Sequence, residues 1–538
     1  MKPGRAAAVL ALLLAAFAYA PRLGVPLMWD DRPFLINVPE LARPIPLSNY
    51  VAPSYFERTG ELTWRPLATL SYNLGVRAFG LRPAPLRLTM MALHLVNCAL
   101  LALLVAGAGL GSAAGVGAAA LFLIHPANSE TLMTVTFNKE ILSTLGVLAM
   151  LLFHQRRRPW LAAAALSFAV LPKETGMLGL LFAALYDLVG SGRKELARRW
   201  KDHALYAAVA AAYLFMRFGP MKGPGGEANL SANLPWTERL FHAAHGFASS
   251  VSVMLAPWRL RIQYFALPAS SQLAYACWLA AAAAILAVTL ELARRARRDQ
   301  PALAFFLLWP LPVLFLTSNL IPTAVLSTRL VAERWLYMPL AGFAVVVAYA
   351  LRNRPKAMTA LIVFWGALLF VRMNDWSSES RLWQSLVDVY PWSANAREGL
   401  GEALFRAGHV PEAEASFRQG LALRATHQDL VLRHYVPLAP AGTLSWESAP
   451  LYRELGLCRL RLDDDREGAD FMKKAASLQP QDVFSRRVLA YLDAKHGAFA
   501  SAKDWLDQGL KIDAQDSFLL RLKPDIEKSR LTFTAHFD

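Results

Sequence analysis

The chain has 538 residues, is 55% hydrophobic and only 18% charged, and has a mean hydropathy of +0.31; these values exclude a disordered chain, a collagen-like repeat and a disulfide scaffold. An integral membrane protein is expected. The net charge of +16 gives no case for nucleic acid, because Arg and Lys cluster beside apolar segments, where they read as topology signals. Of the three cysteines, Cys98 and Cys277 lie in apolar runs and Cys458 stands alone in a polar region, so no internal disulfide or Cys-based metal site is expected.

A hydrocarbon core about 30 Å thick needs roughly 20 apolar residues as helix. The first candidate run, 6–25, follows Lys2 and Arg5; no small-residue cleavage site comes after it, so it reads as a retained signal anchor. Ten further runs occupy 86–110, 113–124, 131–153, 159–171, 177–189, 205–218, 273–292, 302–316, 337–351 and 359–371, about eleven crossings in all. The stretch 240–255 is only moderately apolar and is expected to be re-entrant or interfacial, with Arg239, His242 and His245 facing polar surroundings.

Basic clusters at 156–158, 193–201, 294–298 and 352–356 are expected on the cytoplasmic side, which places the N-terminus inside and the C-terminus outside. The outer face then carries 26–85, the His125 turn, the Lys173 turn, 220–239, 257–272 and 318–334. The Gly-, Asn- and Pro-rich 220–233 is expected as a mobile loop, and its Asn229-Leu230-Ser231 matches a glycosylation sequon by chance in a chain of bacterial composition.

After Val371 the composition turns to amphipathic, charged helices, giving a membrane domain over 1–375 and an extracytoplasmic repeat domain over 376–538. Gly456 precedes Ala490 by 34 residues, and Ala475 and Pro480 fall at the small-residue and terminal-proline offsets of a tetratricopeptide unit. A second unit shows Leu400-Gly401, Gly408, Ala413 and Phe417. About three units, interrupted by an irregular stretch at 428–447, predict an α-solenoid whose concave face suits an extended peptide; a generic helical bundle is the competing reading.

Ionisable residues at membrane-facing positions are costly and so mark candidate sites. Trp29-Asp30-Asp31-Arg32 follows the first run: two adjacent carboxylates there can form a general base beside a second acid, with Arg32 limiting their repulsion, or simply a solvated turn. A second group is His125-Pro126, Glu130, Asn138, Lys139 and Glu140, with Glu130 and Glu140 expected on one helix, roughly 15 Å apart along its axis. Lys173-Glu174 and Glu333-Arg334, the latter followed by Tyr337, put cations at the outer boundary. They suit either a lipid phosphate or snorkelling structural charges. His94 and Asn97 are expected to hydrogen-bond between helices. No Walker loop, Rossmann fingerprint, His-Glu-x-x-His or Gly-x-Ser-x-Gly motif occurs where it would carry weight, so a lipid-borne substrate is favoured over nucleotide chemistry.

In order, Trp29-Asp30-Asp31, the run from Trp64-Arg65-Pro66 to Tyr72, His94-Leu95-Val96-Asn97, His125-Pro126 through Glu130, Lys173-Glu174, Pro257-Trp258 and the run from Ala332-Glu333-Arg334 to Pro339 resemble the TMTC proteins. These are transmembrane, tetratricopeptide-repeat O-mannosyltransferases of the GT-C glycosyltransferase group. The chain departs from them at Phe137-Asn138-Lys139-Glu140, where the animal proteins have Gly-Arg before an acid, and in its short repeat array.

The resemblance implies an all-α, polytopic GT-C-type membrane domain followed by repeats, in a bacterial inner membrane, with active site and repeats periplasmic. It implies transfer of mannose or another hexose from a polyprenyl-phosphate donor to Ser or Thr hydroxyls, with inversion. Asp30 in the outer loop 26–85 would be the base with Asp31 its neighbour; Arg65, Lys173 or Arg334 would stabilise the leaving phosphate, and His125, Glu130, Glu174, Glu333 and Tyr337 would complete the substrate site. No metal or other cofactor is expected, since phosphate is already a good leaving group. The expected partners are the lipid-linked donor, an acceptor segment held by the repeats, and membrane lipids. Two other functions compete: a GT-C enzyme acting on lipid or polysaccharide, and a non-catalytic scaffold.

Overall fold

A computed structural model describes residues 3–223, 235–265, 272–318, 320, 329–426, 446–532, 534–535 and 537. The sequon, most of 220–233 and most of 428–447 lie outside them. The architecture is all-α: the strands among the described residues are Tyr264–Phe265 and Arg329–Val331, one antiparallel pair with Tyr264 opposite Val331. Two compact units divide the chain, Met1–Ser378 and Glu379–Asp538.

Helices form in the first unit where the apolar runs lie, and proline punctuates their starts. Pro66, Pro83, Pro159, Pro301, Pro310 and Pro355 each occupy the first helical position, where a missing N–H costs nothing. Four helices among the described residues are long and apolar enough to cross a membrane: Pro83–Gly107, Val135–Gln155, Leu273–Asp299 and Pro355–Asp375. Shorter apolar helices cover Ala6–Arg22, Ser112–Ile124, Pro159–Val170 and Pro301–Leu316. The unit is thus built as a multi-pass membrane protein. Gly146 lets two helices meet closely, since a Cβ there would lie 2.6 Å from Ala169 Cα.

Two expectations need correction. The run 131–153 is not one helix: α-helix Asn128–Met133 ends, Val135–Phe137 makes a 3₁₀ turn, and the α-helix resumes over Asn138–Gln155. Thr134 is extended, and the Val135 and Thr136 amides bond to Asp31 rather than to carbonyls one turn back. Glu130 and Glu140 therefore sit on separate helices. The second correction concerns His245 on helix Trp236–Leu255, which was expected to face polar surroundings and instead lies 4.0 Å from the Trp278 ring.

The second unit is a succession of antiparallel helix pairs: Ala394–Arg406 with Val410–Ala425, Ala449–Arg461 with Asp465–Leu478, and Val483–Lys495 with Phe499–Ile512, followed by Ser517–Glu527. Side chains of Ser393, Asp464, Asp482 and Asp516 cap helix N-termini. The second residue after each pair's first helix has a positive φ: Gly408 at 84°, Asp463 at 59° and Gly497 at 78°. That left-handed residue ends one helix and turns the chain into the next. Ala413, Ala475 and Ala490 are fully buried, and the Gly401 Cα packs so closely that a Cβ would meet the Phe417 ring at 2.5 Å.

Candidate active site

The Trp29-Asp30-Asp31 loop gives its two acids different surroundings. Asp31 points inward and is fully buried, accepting hydrogen bonds from the Val135 amide at 3.2 Å and the Thr136 amide at 2.9 Å. Arg87 acts on it electrostatically and clamps the same region, donating to the carbonyls of Arg22, Leu23, Val25, Pro26 and Met133. The charge of Asp31 is thus met by amides and Arg87. Asp30 is half-buried and, among the described residues, has no hydrogen bond or salt bridge. Trp29 immediately before it holds a φ of +54°, costly for a bulky residue, and packs edge-on to Phe137 at 5.4 Å.

Burial pushes the Asp31 carboxyl up to about 6, against the pull of the two amides and Arg87. A folded-state value above the unfolded one means that the folded chain binds more protons between about pH 4 and 6, so stability falls as pH rises through that window. Asp31→Asn should remove a slope of up to about 1.4 kcal/mol per pH unit there. Unfolding of the detergent-solubilised protein at several pH values measures this, and an unchanged slope in the variant would assign it to another group.

The cations expected to receive phosphate are each engaged with carboxylates. Arg65 grips Glu174 bidentately, Nη2 to Oε1 at 3.0 Å and Nε to Oε2 at 3.3 Å. Burial would raise the Glu174 carboxyl, but Arg65 and then Arg217, 3.8 Å away, outweigh it and hold it well below the usual carboxylate range. Lys173 bonds to Glu140. Arg334 bonds to Glu130 through its side chain, and its backbone amide reaches Glu130 Oε2 at 3.0 Å. The Arg334 guanidinium also lies 4.5 Å from the Phe137 ring and 5.5 Å from that of Trp29. Neighbours in sequence therefore separate: Lys173 and Glu174 join different partners, as do Glu333 and Arg334.

Three expected substrate residues are occupied elsewhere. His125 is buried with both ring nitrogens used, Nε2 donating to the Met254 carbonyl at 3.0 Å and Nδ1 accepting from the Ala127 amide at 3.2 Å. Tyr337 is fully buried, its hydroxyl 2.7 Å from His94 Nδ1 and 3.0 Å from Asn97 Nδ2. It belongs to helix packing, and His94 and Asn97 bond between helices as expected. Glu333 ties three segments together, accepting from Arg372 at 3.3 Å, Tyr264 Oη at 3.0 Å and the Arg261 amide.

Sequence reasoning missed Arg87, Glu61, Arg217 and Arg372. A charge inside an apolar run was the available signal for Arg87 and Arg217, and a charge at the end of one for Arg372; Glu61 has none, because only the fold turns it toward Arg65. Glu61 is buried and lies within electrostatic reach of Lys139 and Arg65. His154, Asp187 and His203 offer ligand atoms within 4.8 Å of one another, the spacing of a metal site. Arg199 Nη1, however, lies 2.8 Å from His154 Nε2 and 3.0 Å from Asp187 Oδ1, so a guanidinium supplies the positive charge there. Between helices Trp236–Leu255, Pro310–Leu316 and Tyr337–Ala350 lies an apolar cavity of about 480 Å³, lined by Met254, Leu255, Leu311, Leu314, Phe343 and Val346 among others.

No family model matches the chain. It is 29% identical over 217 residues to protein O-mannosyl-transferase Tmtc1 of Drosophila melanogaster, covering 38% of this chain and 25% of that one. With protein O-mannosyl-transferase F38B6.6 of Caenorhabditis elegans it shares 22% identity over 450 residues, 77% of this chain and 62% of that one. The chain thus spans less than two thirds of each of these relatives. Among solved structures it is similar to ArnT from Cupriavidus metallidurans bound to undecaprenyl phosphate, with TM-score 0.36, 14% identity, and coverage of 80% of this chain and 77% of that one. In sequence, this chain is homologous to the TMTC protein O-mannosyl-transferases, the proteins its ordered motifs resemble.

Proposed function

We propose that the chain is a membrane glycosyltransferase of GT-C type that moves a hexose from a polyprenyl-phosphate donor to Ser or Thr hydroxyls of extracytoplasmic proteins. The observation that carries the reading is Asp30: a half-buried carboxylate with no hydrogen bond or salt bridge among the described residues, following a strained Trp29 and within electrostatic reach of the ion-paired Arg334. An ion-paired carboxylate is a poor base, and its unpaired neighbour is the available one. Homology to protein O-mannosyl-transferases supports the class. The apolar cavity suits an isoprenoid chain.

In the reaction, the acceptor oxygen bonds to the anomeric carbon as the bond from that carbon to the phosphate oxygen breaks. Asp30 takes the hydroxyl proton, and polyprenyl phosphate leaves with one more negative charge than the donor phosphodiester carried. One displacement inverts the anomeric centre. The helix pairs of 379–538 would hold the acceptor segment, raising its local concentration without touching the reacting atoms. The active site and helix pairs face the periplasmic side of a bacterial inner membrane in this reading.

The test is transfer by the purified full chain in vesicles, with labelled mannose supplied either on polyprenyl phosphate or on a nucleotide. Label moving from the lipid donor into Ser or Thr of protein is the expected result. Label moving only from the nucleotide, or only into lipid or polysaccharide, would contradict the donor or the acceptor respectively.

A further inference from the structure

Asp30 acts electrostatically on Arg334 and Lys139, and the cations named above differ in what holds them. Arg65 is committed to Glu174, Lys173 to Glu140 and Arg334 to Glu130. Arg372 is held by Glu333 and Asp375, and Arg87 by backbone carbonyls. Arg217 lies 3.8 Å from Glu174 and donates to the Trp64 carbonyl at 3.4 Å. Lys139 differs from all of these. Among the described residues its side chain has no hydrogen bond and no salt bridge, and its ammonium lies 5.7 Å and 5.8 Å from the centroids of the Phe34 and Phe137 rings. Asp30 and Glu61 attract it from beyond ion-pair distance, while Arg65 and Lys173 repel it.

A half-buried ammonium that has given up water without gaining an anion is unfavourable by itself, and a ligand that brings negative charge removes the penalty. The ammonium lies over two aromatic faces, which take no N–H hydrogen bond from it, and its three donors are left for that ligand. Lysine also suits a phosphate whose charge rises during reaction, because its flexible stem lets a compact point charge follow the oxygen. Resting on the polyprenyl-phosphate reading above, we propose that Lys139 binds the phosphate of the donor, and that Arg65, Lys173 and Arg334 form the ion-paired frame around it. Asp30 and Lys139 then divide the reacting bond, the carboxylate on the side of the incoming hydroxyl and the ammonium on the side of the departing phosphate.

The experiment measures binding of undecaprenyl phosphate and of undecaprenol to the full chain in nanodiscs. The wild type should prefer the phosphate. Lys139→Met should lower affinity for the phosphate by about 10- to 100-fold and leave undecaprenol unchanged, while Lys139→Arg should stay within about threefold of wild type. Lys139→Gln repeats the test if the Met variant does not fold. A preference for phosphate that persists in folded Lys139→Met and Lys139→Gln overturns the assignment and leaves the donor reading standing. A wild type that binds the two lipids equally overturns both.

Discussion

Asp30→Asn is expected to lower sugar transfer by roughly 10² to 10⁴ in turnover while donor affinity changes by less than about threefold. The amide keeps the size of the carboxylate and its place after Trp29, and it loses only the capacity to take a proton. Asp30 is not tied to the fold by a hydrogen bond or salt bridge among the described residues, so the thermal stability of the variant should match wild type. Asp31→Asn provides the contrast: Asp31 holds the Val135 and Thr136 amides, so its loss should appear in stability and in the pH slope before it appears in chemistry. Comparison of turnover, donor affinity and melting for the two variants separates base from anchor. Near-normal turnover in folded Asp30→Asn would remove Asp30 from the chemistry.

The second large effect is expected at the Glu130–Arg334 pair. Glu130 is fully buried and accepts from both the side chain and the amide of Arg334, so Arg334→Met leaves a buried carboxylate without its cation. Breaking such a pair costs about 3–5 kcal/mol, whereas removing both charges costs much less. Arg334→Met and Glu130→Gln should therefore each destabilise the chain strongly, and the double variant should recover part of the loss. Equilibrium unfolding of the four proteins in one detergent measures the coupling. Strictly additive losses would show that the pair does not act as a unit, and would return Arg334 to the set of candidate phosphate ligands.

Much of the fold was legible because its signals are local. Apolar runs of helical length, proline at the first helical position and small residues at repeat offsets report on the segment that carries them, and helices formed at each of these places. The break at Thr134–Phe137 was not legible, since its cause is Asp31, more than 100 residues away, capturing two amides that a helix would have used. The site follows the same division. Glu130, Lys173 and Arg334 could be picked out as costly charges at membrane boundaries and Arg65 from the motif it belongs to, but their pairing could not, because each partner is a long-range neighbour. For this reason adjacent residues such as Lys173 and Glu174 looked like one unit when they serve two. Tyr337 and His125 were expected in the substrate site, yet helix packing buries both.

The central claim is that Asp30 activates an acceptor hydroxyl against a lipid-phosphate sugar in a single displacement. The most direct measurement is the anomeric configuration of the product, read by NMR on glycopeptide made by the purified chain from a polyprenyl-phosphate hexose of known configuration. The account predicts complete inversion, with one polyprenyl phosphate released per sugar transferred. Retained configuration would require a covalent sugar intermediate and two displacements, and would contradict the role given to Asp30.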